Sequence, residues 1–141
     1  MKCLDQTRFD EKYGDCLRAC IASIFDFPSV DFMPNFWEET QDSTEFWELV
    51  NAWMKKNLQY GAIVVNAEND KLFYLDHLLC IAIGNREDTH EEHAVVWRNG
   101  LVHDPHPNRK GLSSDPKTFV ILVPLVPLIT VLTSARSAGE R

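Results

Sequence analysis

The sequence has no positive charge to spare. Fourteen Lys and Arg face 21 Asp and Glu, for a formal net charge of −7. Phosphate backbones and anionic bilayers select basic patches, so neither nucleic acid nor membrane is an expected partner. Long apolar runs are also missing. The longest, Phe119 to Leu132, has 14 residues and contains Pro124, Pro127 and Thr130. A spanning helix needs about 20 apolar residues. The opening MKCLDQTRFDEKYGD lacks the apolar stretch of a signal peptide, so the expected setting is the cytoplasm. There is no internal repeat and no low-complexity tract. Cysteine is sparse, with Cys3, Cys16, Cys20 and Cys80 only. In a reducing compartment such thiols stay free. They read as one reactive thiol among small buried hydrophobes rather than as a disulfide framework.

What is present is enough for one packed domain. The chain has 141 residues, of which 45% are hydrophobic. Residues 1–124 are expected to form the domain. Residues 125–141 are expected to be a peripheral tail, disordered from Ser134 to Arg141. Asp15 precedes Leu17, Ala19, Cys20, Ile21, Ala22, Ile24 and Phe25, which predicts a buried helix with Asp15 at its N-cap, ending near Phe27-Pro28. Residues 28–42 read as a loop with aromatic anchors. Asp42-Ser-Thr-Glu45 fits a capping box. Phe46, Leu49, Val50, Trp53 and Met54 then follow at helical spacing to about Asn57.

Beyond Tyr60-Gly61 the period changes. Ala62 to Asn66, Leu72 to Leu75, Leu78 to Ile83, Ala94 to Trp97, Leu101-Val102 and Phe119 to Val123 read as strands. Asn99-Gly100 between two of them is a tight hairpin signal, because both residues tolerate positive φ. Helices first and an antiparallel sheet of four to six strands afterwards make an α+β order. Trp37, Trp47, Trp53 and Trp97 are spaced like packing anchors.

Chemistry concentrates at two places. Gly14-Asp15-Cys16 stands at a helix entrance, where free N–H groups favour a thiolate and can hold an oxyanion. Gly14 removes bulk where a substrate backbone would approach. His93 opens one arm of the predicted hairpin and Asp104 closes the other, so both ends reach the same side of the sheet. A carboxylate on one imidazole nitrogen leaves the other nitrogen for a thiol, which is the logic of an activated nucleophile. On its own strand, His103 is expected to face away from Asp104, while His106 is placed at a pocket rim. The competing chemistry is zinc held by Cys16, Cys20, His103 and His106. That spacing lacks the Cys-x-x-Cys knuckle. His90-Glu-Glu-His93 is not the metalloprotease helix motif either. No metal and no cofactor is expected.

Gly-Asp-Cys16-Leu-Arg-Ala-Cys20, then His93-Ala-Val-Val, then His103-Asp104-Pro105 resembles the papain-like cysteine peptidases. Within them it is most similar to double-glycine leader peptidases. It is also similar to small bacterial and phage proteins with a His-Ala-Val-Val … His-Asp-Pro-His-Pro pattern. The resemblance covers residues 4–25 and 77–123. It implies a papain-like fold, with a central N-terminal helix on a mainly antiparallel sheet. It implies Cys16 as nucleophile, His93 as base and Asp104 as its orienter. It also implies Gln6, the sole glutamine before Cys16, as an oxyanion donor. Two features depart from the pattern: Leu17 stands where the family has glycine, and the gap from Gln6 to Cys16 is longer than usual. The function implied is hydrolysis of a peptide or isopeptide bond in a peptide or protein substrate, through a thioester acyl-enzyme. Two alternatives stay open: an acyltransferase using the same triad, and a binding protein on the same fold.

Overall fold

The computed structural model describes residues 1–10, 14–67, 77–86 and 91–125. Two helices pack on a five-stranded antiparallel open sheet, an α+β arrangement. Helix α1 spans Cys16–Ile24 and α2 spans Ser43–Leu58. The strands are β1 (Tyr60–Asn66), β2 (Cys80–Asn85), β3 (Glu92–Trp97), β4 (Leu101–His103) and β5 (Thr118–Pro124), in the spatial order β1-β5-β2-β3-β4. The strand expected at Leu72 to Leu75 and the tail beyond Leu125 lie outside the described residues.

Helix α1 stops three residues short of its expected end. Asp26 takes a left-handed φ of 54°. The Phe27 N–H then reaches back to the Ala22 carbonyl and the Asp26 N–H to that of Ser23. This is a Schellman closure made without glycine, so no residue type announced it. The loop before α2 contains two single 3-10 turns, Val30–Phe32 and Phe36–Glu38. Val30, Met33 and Phe36 anchor it in the core. At α2 the expected cap forms: the Asp42 carboxylate accepts from the Glu45 N–H at 2.9 Å, and Glu45 accepts from the Gln41 N–H at 3.0 Å. Phe46, Val50 and Met54 are the buried stripe.

Ile81 pairs with Val96 on one side and Val120 on the other. These three side chains are fully buried and join Leu17, Cys20 and Ile21 of α1 in one core. The β3–β4 hairpin turns at Asn99 (φ 53°) and Gly100 (φ 138°). Val96 pairs with His103 while Trp97 pairs with Leu101, so Val102 is an extra residue in the ladder. Such a bulge re-aims the residues that follow it, and Asp104 is the first residue past the strand. Trp53 meets Phe27 and Phe32 edge-on, and Trp97 meets Phe119. No helix among the described residues is long and apolar enough to cross a membrane.

Candidate active site

Cys16, His93 and Asp104 come from three elements. Cys16 is the first residue of α1, His93 sits near the start of β3, and Asp104 lies just past β4. His93 Nε2 donates to Asp104 Oδ1 at 2.7 Å, and both residues are buried. Cys16 lies close enough to the imidazole to act on its charge, and Nδ1 is the ring nitrogen that Asp104 does not occupy. Burial opposes a charge on His93. The hydrogen bonds to Asp104 and Cys16, with the charges on both, outweigh burial and raise its pKa to about 9. Burial likewise opposes a charged Asp104. Donors from His93 and from the His106 and Gly111 backbone outweigh it and hold the carboxyl at about 2. The pair is therefore poised as imidazolium and carboxylate at neutral pH.

Asp15 occupies the N-cap position of α1, but its side chain does not cap the helix. Only its carbonyl takes part, accepting from the Ala19 N–H. The carboxylate is fully buried and turns to the N-terminal segment. It accepts from the Thr7 N–H at 2.8 Å, the Thr7 hydroxyl at 2.5 Å and the Arg8 N–H at 2.9 Å, and it pairs with Arg18. The first turn of α1 is thus left without a side-chain cap, its free N–H groups facing the Cys16 side. Gly14 serves the chain itself: a Cβ there would stand 2.7 Å from the Asp10 carbonyl. That close approach requires glycine, and Gly14 also lines the cleft into which Cys16 opens.

Gln6 is buried beside the same cleft. Its backbone N–H donates to the Pro105 carbonyl at 2.9 Å, and its Nε2 donates to the Arg8 carbonyl at 2.8 Å. Its Oε1 is buried with no partner. One amide hydrogen is committed to Arg8. His103 is turned away from the triad, donating to the Leu4 carbonyl at 2.8 Å. His106 is half-buried, its ring 6.3 Å from that of His93 and edge-on to Phe9. Among the described residues no three His, Cys, Asp or Glu side chains gather as a metal site. Cys20 is wholly buried one turn behind Cys16. Burial, then the nearby Cys16 and Asp104, push its thiol well above the usual range. None of the four cysteines is in a disulfide.

Cys16 and His93 open into a cleft of about 530 Å³. Three groups of residues in or beside it were not singled out as functional in the sequence. Arg109 bonds the Asp104 carbonyl at 2.5 Å and pairs with Asp5, closing the loop that carries Asp104. Trp37, Phe46 and Trp47 supply an aromatic wall. Asp10, Glu91 and Glu92 add carboxylates. Helical spacing marks the aromatic residues only as packing, since one ring can serve core and cleft together. Comparison with protein-family models, with curated proteins and with solved structures finds no match.

Proposed function

We propose that this chain is a papain-like cysteine hydrolase that cleaves a peptide or isopeptide bond. The observation that carries the reading is one buried imidazole bonded to Asp104 and lying beside Cys16, at a helix mouth that opens into a cleft. The fold reading has its own support. A cysteine-bearing helix packs on an antiparallel sheet whose neighbouring strands bring up the histidine and the acid.

The chemistry follows from the charges. A thiolate on Cys16 attacks the carbonyl carbon, and the C–S bond forms as the π electrons move to oxygen. The Cys16 N–H, with the second Nε2 hydrogen of Gln6, would hold that oxyanion. Collapse expels the amine, which takes its proton from the His93 imidazolium. Water then gives a proton to His93 as it attacks the thioester. The acid leaves, and the thiolate–imidazolium pair is restored. Asp104 keeps the ring in one orientation throughout.

Iodoacetamide tests the nucleophile at about pH 6, where an ordinary thiol near 8.5 is under about 1% ionised. Cys3 is the internal control, because it is more exposed than Cys16. Mass mapping should find Cys16 alkylated at least about tenfold faster than Cys3, and His93→Ala should erase the difference. Burial holds Cys20 well above the usual thiol range and Cys80 at about 11, so both should stay unlabelled. Equal rates at Cys16 and Cys3 in the unaltered chain would remove the reading.

A further inference from the structure

The cleft is lined unevenly, and the unevenness bears on which peptide it would take. From the second 3-10 turn and α2 come Trp37 and Trp47, both half-buried, on either side of the buried Phe46. Trp37 stacks on Phe46 with ring centres 3.9 Å apart, and Trp47 meets Phe46 edge-on at 5.4 Å. Held this way, the two indoles cannot withdraw from the cleft without breaking the packing of Phe46. They form an apolar shelf in the cleft, which suits a large apolar side chain.

The start of β3 contributes a different surface. Glu91 and Glu92 directly precede His93, and Asp10 lies on the N-terminal side of the same cleft. Two guanidinium groups stand near these carboxylates. Arg86 lines the cleft, and Arg8 is divided between Asp10 and Glu38. Among the described residues that line the cleft, three carboxylates (Asp10, Glu91 and Glu92) stand against one guanidinium (Arg86), which leaves this rim negative. A negative rim around a partly enclosed site favours a cationic group and repels an anionic one.

We infer that the site takes peptides that combine a large apolar side chain, seated on the Trp37–Trp47 shelf, with a neighbouring lysine or arginine at the Glu91–Glu92 rim. This rests on the reading of Cys16 as the nucleophile. The shelf and the rim come from different elements, so the two preferences separate experimentally. The order of the two residues along the peptide is an outcome of the test.

The probes are N-acetyl dipeptide chloromethyl ketones, which alkylate the active thiol after binding. Pairs of Phe with Lys, in both orders, are compared with Phe with Glu and Gly with Lys, by intact mass. The better Phe/Lys order should label Cys16 at least about tenfold faster than its Glu counterpart, the ratio that one favourable charge contact supplies. Replacing Phe by Gly should cost about tenfold or more, from lost apolar burial. In Glu91→Gln/Glu92→Gln, and in about 0.5 M salt, the Lys-to-Glu ratio should fall toward one while the Phe-to-Gly ratio persists. Equal rates for Lys and Glu probes, or a ratio unmoved by the double substitution, overturn the inference while selective iodoacetamide labelling of Cys16 leaves the nucleophile standing. Loss of that labelling overturns both.

Discussion

His93 is 3% exposed and still favours its charged form. Burial alone would neutralise an imidazole, so the charge depends on its two partners, and Asp104 is the one that can be changed without touching the thiol. Asp104→Asn keeps the shape and one acceptor oxygen and removes the negative charge. The His93 titration midpoint, followed by NMR of the ring protons, should fall from about 9 in the unaltered chain by at least about one unit. The midpoint of His106 moves less, because burial and Arg86 dominate there. An unshifted His93 midpoint would mean that Asp104 does not hold the proton. These residues were legible in the sequence because each sits beside a local signal: a helix start, a strand start and an Asp-Pro turn. The donors that steady Asp104 were not. The N–H groups of His106 and Gly111 are backbone, and their convergence on one carboxylate depends on the loop path rather than on residue type.

At the scale of elements, the N-terminal segment joins the two halves of the site. Leu4 is bound to Ser23 of α1 and to His103 of β4, while Thr7 and Arg8 are bound to Asp15. Asp5 pairs with Arg109 and Gln6 with Pro105. The segment has no apolar period because its attachment is made by backbone groups and charges, which is why the sequence showed only a polar stretch. The reverse holds for α2 and the hairpin, where Asp42 and Asn99-Gly100 are local chemistry and were readable. The sheet order could not be read, since β5 reaches its place between β1 and β2 through pairings distant in sequence. The importance of the segment is measurable through its anchor. Asp15→Asn turns one buried acceptor into a donor facing Thr7 and Arg18. The expected loss is about 2–3 kcal/mol, because hydrogen bonds to a buried charge are broken and a donor is left unmatched. A thermal melt should fall by about 6–12 °C, and limited proteolysis should cut first within residues 1–10. A melt within a degree of the unaltered chain would show that Asp15 does not hold the segment.

For the whole molecule, the same imidazole makes stability depend on pH. The pKa of His93 is about 9 when folded, against an ordinary 6.5. Between those values the folded chain holds a proton that the unfolded chain has released, so stability falls as pH rises. Its contribution is complete below about pH 6.5 and gone above about pH 9. Asp104 acts at the other end. Its folded pKa is about 2 against 3.8, so the unfolded chain binds the extra proton and stability is lost as pH falls through that range. Together they place the maximum between about pH 4 and 6.5. The net charge of −7 also grows with pH and adds its own repulsion, so a comparison of two chains is needed to isolate His93. Urea titrations at pH 6 and pH 9 supply it. The unaltered chain should lose about 2–3 kcal/mol more than His93→Gln over this interval, because glutamine donates to Asp104 at both pH values and carries no titrating proton. Equal losses in the two chains would mean that His93 is not held protonated by the fold, and the charged state that the proposed chemistry requires would go with it.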